Sequence, residues 1–181
     1  GGIAASSYFD AGNEGWHKVS LLDTGPYASL NADFGLANFE STGGNPGGHI
    51  CGKDTVNGDI WYFIASAKYL GDASKTFGLR LTWDLKQDNM YQQLKGRDVI
   101  LQGAGLSVVF NIKATPAKEW TPYEVRIDAS SGWKVDEPGF PGASEEQLKT
   151  VLRNVSSLRV RGEFADGPDS ACLDNVLFGV Q

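Results

Sequence analysis

Acidic side chains and two histidines are the residues of this 181-residue chain that acid–base chemistry would need. Glycoside hydrolysis requires two carboxyl groups facing each other across a cleft, one of them with a raised pKa. The adjacent acid pairs at 136–137 and 145–146 do not fit, because neighbours on a strand point apart and acids at a helix start stabilise that helix. His17 and His49 belong to no catalytic motif. The sequence therefore predicts a non-catalytic protein, with a polysaccharide-active enzyme as a less favoured alternative.

Two cysteines, Cys51 and Cys172, lie far apart and follow neither metal-ligand nor CxxC spacing. Two interpretations remain open from the residues alone: two buried thiols, or one long-range disulfide. The chain is rich in glycine, tryptophan and asparagine turns and poor in lysine-rich helices, which is typical of secreted proteins. Because disulfides persist in oxidising compartments, this composition favours the disulfide.

Length and charge limit the class of protein. The chain is long enough for one domain with a sizeable core, and we expect a flexible leader at 1–7 followed by a single domain at 8–181. A net charge of −6 argues against nucleic acid as the partner, since phosphate binding needs a basic surface. No apolar run approaches about 18 residues, so we predict no membrane insertion.

Short strands recur along the chain, and one helix interrupts them. The predicted strands are WHKVSLL (16–22), HICGKDTV (49–56), IWYFIA (60–65), LRLTWDLK (79–86), LSVVFNIK (106–113), YEVRID (123–128), LRVRGEF (158–164) and CLDNVLFGV (172–180). Trp83 alternates in phase with Leu81 and Leu85, which predicts that it is buried in the core. Asn57-Gly58 predicts a two-residue hairpin turn. Ser144 and Gln147 fit a capping box at the start of the helix.

The glycine-rich stretch GGNPGGHIC (43–51) leads into a strand, so it does not fit a phosphate-binding loop, which must feed a helix. Its glycines fit a chain reversal with positive φ angles, restrained by Pro46. Half-buried strands with frequent turns and a single helix predict an all-β, two-sheet antiparallel sandwich.

Several stretches in the same order carry a family resemblance. GGNPGGHICGKD, WYFIASAKYLGD, FGLRLTWDL, VILQGAGLSVVF, WTPYEVRI, LRNVSSLRVRGEF and LDNV together resemble the laminin IV type A (laminin B) domain over about 9–180. The opening YFDAGNEGW is similar to the microbial and algal version of that family. The resemblance implies a galactose-binding-like jelly roll that is secreted and acts by binding.

Two further expectations follow from the resemblance. In such a jelly roll the terminal strands lie beside early ones, so Cys51 and Cys172 would form a disulfide. The fold also implies a structural Ca²⁺ where the first turn meets the last strand, and calcium prefers hard oxygen ligands. The side chains that would supply oxygens are Asp10, Asn13, Asn45, Asp54 and Asp174.

A polar, arginine-bearing sheet face is the predicted ligand site, on the assumption that its strands share one sheet. Its candidate residues are Arg80, Asp84, Asn111, Arg126, Arg159 and Arg161. Aromatic side chains that would stack on sugar rings are Trp61, Tyr62, Tyr91, Trp120 and Trp133. The alternative is a solvated face with cross-strand ion pairs, and tryptophans that serve the core.

The predicted function is a non-catalytic extracellular module that binds a carbohydrate or an extracellular-matrix or cell-surface component. The alternative is a structural or adhesive spacer with no small ligand. The triplet at 154–156 matches an N-glycosylation acceptor, at Asn154, which matters only in a eukaryotic secretory route.

Overall fold

The computed structural model describes residues 3–22, 30–54 and 59–181, which form two antiparallel β-sheets around a shared core. The strands are β1 (Ala5–Ser7), β2 (His17–Leu22), β3 (Leu30–Leu36), β4 (Asn38–Gly44), β5 (Gly47–Lys53), β6 (Asp59–Ile64), β7 (Arg80–Gln87), β8 (Val99–Gly103), β9 (Leu106–Phe110), β10 (Thr121–Arg126), β11 (Lys134–Val135), β12 (Val155–Arg161) and β13 (Ser170–Val180). The predicted all-β sandwich is confirmed. The predicted turn at Asn57-Gly58 lies outside the described residues.

The six-stranded sheet is organised around β13. Its order is β10-β7-β13-β5-β4, and β1 pairs with β13 beside this path. Ala5–Ser7 were expected to belong to a flexible leader, but they form β1, and the Ser7 hydroxyl accepts hydrogen bonds from Trp16 and Tyr69. Because these partners are buried, the start of the chain is part of the fold from Ala5 onward.

Seven strands form the second sheet, in the order β11-β9-β8-β12-β6-β2-β3. The predicted strands correspond to β2, β5, β6, β7, β9, β10, β12 and β13. The edge strands β3 and β4 were not predicted. The sequence of β4, NFESTGG, is polar and rich in Gly and shows no apolar alternation, whereas that of β3, LNADFGL, does alternate and was missed.

Large aromatic side chains fill the space between the sheets. Trp83 is 1% exposed and stacks on Tyr123 with a ring-centre distance of 5.5 Å, so its predicted core position is confirmed. Trp16 contacts the edges of Phe9 and Tyr69. Burial of such side chains contributes roughly 25 cal/mol for each Å² of apolar surface removed from water.

Helix α1 (Glu145–Arg153) packs on β8 and β9 through Leu148, Val151 and Leu152, which are buried. The predicted capping box is confirmed: Gln147 N–H donates to Ser144 Oγ (3.1 Å), and Ser144 N–H donates to the Gln147 side chain (2.9 Å). No helix in the described part of the chain has the length and apolar character to cross a membrane.

The predicted disulfide is confirmed. Cys51 on β5 and Cys172 on β13 are directly opposite in the strand register, and their sulfur atoms are bonded. The bond joins an early strand to the last strand, as the jelly-roll topology implied.

Candidate functional site

Two arginines project from β12, the central strand of the seven-stranded sheet, on its outer face. Leu158 and Val160 belong to the main core, so the alternating Arg159 and Arg161 point the other way. Arg161 lies opposite Tyr62 of β6 in the strand register. The apolar residues around them form a second, smaller cluster of Val19, Leu21, Tyr62, Ile100 and Val109. The outer face is thus apolar at its base, with two guanidinium groups set into it.

Both guanidinium groups are buried and fixed by hydrogen bonds. Arg159 is 5% exposed and its Nη2 donates to Gln102 Oε1 (2.9 Å). Arg161 is 4% exposed; its Nη1 donates to the Gly96 carbonyl (2.8 Å) and its Nε to the Glu163 carbonyl (2.5 Å). Burial lowers the pKa of Arg159, but an arginine with a pKa this far above neutrality keeps its charge. Two oriented positive charges therefore lie just beneath this surface.

The loop that precedes β8 forms one side of a groove over β12. The Arg97 carbonyl accepts a hydrogen bond from the Tyr62 hydroxyl (2.8 Å), and its N–H donates to Asn111 Oδ1 (2.8 Å). The Arg97 guanidinium lies 3.1 Å from Asp136 Oδ1 and 5.4 Å from the centre of the Phe140 ring. Phe140 itself is 40% exposed. Hydrogen bonds and an ion pair thus hold Arg97 in place on one side of the groove, and the exposed ring of Phe140 lies beside it.

We call this space the outer groove; its volume is about 420 Å³. Its lining consists of Ile60, Lys95, Gly96, Arg97, Asn111, Phe140 and Arg161. Among the described residues the lining includes three cationic side chains and no carboxylate, although the whole chain carries a net charge of −6. The exposed ring can stack on a flat sugar face, and the guanidinium groups can bond to hydroxyl or anionic oxygens.

A second cavity, of about 390 Å³, adjoins the outer groove and shares Arg161 with it. Asp54 and Glu163 line this cavity, and Asp169 lies beside them; one carboxylate oxygen from each residue is within 4.8 Å of the other two. We call these three residues the carboxylate cluster. Burial, followed by the charges of Asp54 and Asp169, raises the pKa of Glu163 to about 8.

The predicted ligand face is divided between the two sheets, so the assumption of one shared face is wrong. Arg80, Asp84 and Arg126 lie on β7 and β10 of the six-stranded sheet, whereas Arg159 and Arg161 lie on β12 of the other sheet and Asn111 follows β9 there. Alternation along a strand identifies its two faces but not the sheet that the strand joins. The sequence thus placed the polar residues correctly on their strands and combined them wrongly.

Arginines of the six-stranded sheet make local contacts in solvent. Arg80 Nη1 pairs with Glu124 Oε2 (2.5 Å) and its Nη2 donates to the Gln181 carbonyl (2.6 Å). Arg126 Nη1 donates to the Gly78 carbonyl (2.7 Å). Exposed pairs of this kind contribute about 0–1 kcal/mol to stability, so this face resembles the solvated alternative and offers control positions.

Three of the five predicted calcium ligands, Asp10, Asn45 and Asp174, lie around the β4–β5 hairpin. Asn45 N–H donates to Asp174 Oδ2 (2.7 Å). A Cβ atom at Gly47 would lie 2.7 Å from Asp10 Oδ1. A Cβ atom at Gly44 would lie 2.9 Å from Asp174 Oδ2, and 2.4 and 2.6 Å from the carbonyl oxygens of two glycines of the turn. Bare glycine backbone thus leaves room where carboxylate and carbonyl oxygens converge.

Negative charge accumulates at this hairpin. Asp174 is fully buried, and burial raises its pKa to about 6, with smaller contributions from the charges of Asp84 and Asp10. Asp84 Oδ2 accepts hydrogen bonds from the side-chain amides of Asn45 (3.1 Å) and Asn175 (2.8 Å). These amides are neutral, so the hydrogen bonds orient the carboxylates without neutralising them.

Two of the predicted calcium ligands lie away from the hairpin. Asn13 caps a local turn, since its Oδ1 accepts from Gly15 N–H (3.0 Å) and its side-chain amide donates to the Ala37 carbonyl (3.4 Å). Asp54 follows β5 and belongs to the carboxylate cluster. Asn13 and Asp54 were grouped with the hairpin residues because of their positions in the sequence, but their side chains lie in other parts of the sandwich.

Most of the aromatic side chains that were predicted to stack on sugar rings are buried. Trp61, Tyr62 and Trp133 are 3%, 0% and 2% exposed. Tyr91 is 63% exposed, and the half-buried Trp120 donates its indole N–H to the Gly43 carbonyl (2.9 Å). The described lining of the outer groove includes neither Tyr91 nor Trp120.

The wall of the outer groove includes three residues that were not predicted from the sequence, Lys95, Arg97 and Phe140. All three lie in loops, where no periodicity marks the side of the molecule that a residue faces. Arg97 and Phe140 also have positive φ angles of 46° and 44°. Arg and Phe seldom adopt such angles, so the residue types do not predict this backbone conformation. No sequence signal would have found them.

The sequence of this chain matches a known protein family. The family model for Laminin B (Domain IV) matches residues 62–180, about two thirds of the chain. The chain belongs to the laminin B family. Horse laminin subunit gamma-2 is 32% identical to this laminin B domain over 127 residues, which are 65% of the chain and 10% of the relative. Human laminin subunit gamma-1 is 29% identical over 119 residues, 64% of the chain and 7% of the relative.

The laminin B domain thus spans about a tenth or less of the curated relatives it matches. Among solved structures, the L4b domain of human laminin alpha-2 superposes with a TM-score of 0.74 at 11% identity, over 100% of both chains. The family 11 carbohydrate-binding module from Clostridium thermocellum, in complex with a β-1,3-1,4-mixed-linked tetrasaccharide, gives 0.58 at 18% identity, over 97% of this chain and 96% of the other. These likenesses confirm the jelly-roll fold, and membership of the family confirms a non-catalytic domain.

Proposed function

We propose that this laminin B domain is an extracellular module that binds an anionic polysaccharide in the outer groove. One observation carries the proposal: an open groove of about 420 Å³ combines the fixed guanidinium group of Arg161 at its base with the exposed ring of Phe140 on its wall. A carbohydrate-binding module of similar fold, whose solved complex contains a β-1,3-1,4-mixed-linked tetrasaccharide, supports a carbohydrate as the ligand.

Arginine geometry supports an anionic ligand in particular. Arg161 uses its Nε and one Nη1 hydrogen bond within the protein, which leaves further N–H groups on the same rigid plane. Such a plane matches carboxylate and sulfate oxygens in pairs. Lys95 is exposed at the same groove and adds a mobile positive charge. Uronic-acid or sulfated sugars would therefore be retained better than neutral ones.

An extracellular location is supported by the Cys51–Cys172 disulfide, because such bonds persist in oxidising environments. The laminin subunits among the relatives support the same location.

The laminin relatives also favour a second candidate function. Since this domain matches only about a tenth of a much longer subunit, it can serve as a structural or adhesive spacer within a longer chain, without a small ligand. The experiment below distinguishes the two functions.

We further propose that the β4–β5 hairpin holds a structural calcium ion. The oxygen donors around Gly44 and the buried charge of Asp174 fit a hard dication, and Asp10, Asn45 and Asp174 would hold it. When bound, calcium would neutralise these carboxylates and join the turn to β13.

Retention on immobilised polysaccharides tests the binding function. The panel includes a uronic-acid polymer, a sulfated polymer and a neutral mixed-linkage β-glucan. We expect Phe140→Ala and Lys95→Ala to weaken retention by about tenfold, or about 1.4 kcal/mol, because both side chains lie at the groove surface. Retention should fall as salt is raised, since the charges are partly exposed.

Arg126→Ala is the matched control, because it removes an exposed arginine from the other sheet. It should bind like the parent and melt within a few degrees of it. A parent protein that no polysaccharide retains would favour the spacer function. If Phe140→Ala were retained as strongly as the parent, the proposal that polysaccharide binds in the outer groove would be contradicted.

A further inference from the structure

We propose that the carboxylate cluster of Asp54, Glu163 and Asp169 binds a second calcium ion. This site lies beyond the C-terminal end of β5, whereas the hairpin site lies before its N-terminal end. The inference does not depend on a polysaccharide in the outer groove.

The spacing of the three carboxylates suits calcium. Calcium–oxygen distances are about 2.3–2.6 Å, so two oxygens on opposite sides of one ion are about 4.6–5.2 Å apart. One oxygen from each of Asp54, Glu163 and Asp169 lies within 4.8 Å of the others, which is within that span. The adjoining cavity of about 390 Å³ leaves room for water ligands and includes two further carboxylates, those of Asp59 and Asp166, in its lining.

Glu163 provides the observation that points to a ligand. The residue is 8% exposed, yet its Oε1 is buried and accepts no hydrogen bond from an N–H or hydroxyl donor among the residues that the structure describes. The side chain interacts with the carboxyl group of Asp54, which can donate to it only when one of the two groups is protonated. A buried carboxylate oxygen without a partner is costly, because it loses its hydration without compensation. Glu163 lines the cavity, so a cation bound there would lie beside its carboxyl group.

Asp169 is already fixed for this role. Its Oδ1 accepts a hydrogen bond from the Trp61 indole N–H (3.4 Å), and its Oδ2 accepts one from Phe164 N–H (3.2 Å). Hydrogen bonds of this kind orient metal-binding carboxylates in proteins. The ligand is thus held in place before an ion arrives, which lowers the conformational cost of binding.

Charge balance favours a dication. With all three carboxyl groups ionised, as a bound calcium ion would require, the cluster carries three negative charges, and Asp59 and Asp166 in the lining of the same cavity add two. The cations of this lining, Lys95 and Arg161, compensate two of the five charges, so a calcium ion would offset most of the remaining three. Magnesium is a poorer fit, because it gives up its bound water reluctantly and demands octahedral geometry.

Calcium titration of chelator-treated protein by isothermal calorimetry tests the site. We expect Glu163→Gln to weaken one calcium-binding event by at least about tenfold, equivalent to about 1.4 kcal/mol. Asp166→Asn removes the same charge from an exposed position in the lining of the same cavity, so it serves as the matched control and should change that affinity less than about threefold. Asp174→Asn, at the hairpin, should leave this event in place.

Thermal melting separates loss of binding from loss of folding. Without calcium, Glu163→Gln should melt at or above the parent temperature, because the substitution removes a carboxyl group whose ionisation is opposed by burial and by the charges of Asp54 and Asp169. If that variant does not fold, Asp54→Asn, on a half-buried residue, replaces it in the titration. The inference is overturned if the parent binds no calcium, or if Glu163→Gln and Asp54→Asn both bind calcium like the parent.

Discussion

His49 is a buried side chain on the outer face of the six-stranded sheet, since its neighbour Ile50 belongs to the core. The His49 ring meets the Trp120 ring edge to face at 5.3 Å. Burial, together with the nearby charge of Lys86, lowers the pKa of His49, while Glu40 opposes this effect. The folded domain therefore keeps this imidazole neutral at pH values where the unfolded chain begins to protonate it.

This difference predicts a pH dependence. The stabilising contribution of neutral His49 is fully present above its unfolded pKa of about 6.5 and is lost as the pH falls toward the lower folded value. We expect His49→Gln to lose less free energy of unfolding than the parent between pH 7.5 and pH 5, as measured by urea denaturation. An equal or larger loss in the variant would contradict the buried neutral state.

Single residues also mark a limit of sequence analysis. Arg159 and Arg161 were correctly placed on β12, and both alternate with core residues of that strand. Their burial was not predicted, because it depends on residues outside β12: the Gly96 carbonyl accepts a hydrogen bond from Arg161, and Gln102 accepts one from Arg159. Such neighbours are distant in sequence, so no local pattern reports them.

At the scale of elements, the β4–β5 hairpin connects the start of the chain to its last strand. The glycine-rich turn was predicted to be a chain reversal, and its position beside Asp10 and Asp174 follows from the pairing of β5 with β13. Strands with clean alternation, such as β7, and the capped helix α1 were predictable because local chemistry specifies them. The polar edge strand β4 lacks such a pattern and depends on its partner β5.

Chelation tests the proposed hairpin site. In the Glu163→Gln background, which is chosen to weaken the proposed site at the carboxylate cluster, a chelator should lower the melting temperature by roughly 5–10 °C. This value follows from about 2.7 kcal/mol of linkage at a hundredfold excess of ligand over its dissociation constant. Adding Asp174→Asn should abolish the response, whereas Asn13→Ala, which removes hydrogen bonds to Gly15 and Ala37 away from the hairpin, should keep it. A melting temperature indifferent to the chelator would reject calcium at the hairpin.

At the scale of the whole molecule, the outer faces of the two sheets differ in how far their charged side chains are exposed to solvent. The face that carries Arg80 and Arg126 has exposed, locally paired charges, whereas the face above β12 has buried charges beneath an open groove. The sandwich itself was predictable from strand periodicity, but the sheet to which each strand belongs was not. Sheet membership depends on long-range pairing, as when β12 inserts between β8 and β6. For that reason the predicted ligand face, which combined residues of both sheets, is replaced by the outer groove over β12.

Polysaccharide binding in the outer groove is tested most directly by two-dimensional ¹H–¹⁵N NMR of the labelled domain during titration with a uronic-acid oligosaccharide. We expect the amide signals of Lys95, Asn111 and Phe140 and the side-chain Nε–H of Arg161 to shift together in a saturable, salt-sensitive manner. Signals of Arg80 and Arg126 on the opposite sheet should stay unchanged. Shifts confined to that opposite face, or no shifts with any oligosaccharide, would contradict a binding site in the groove.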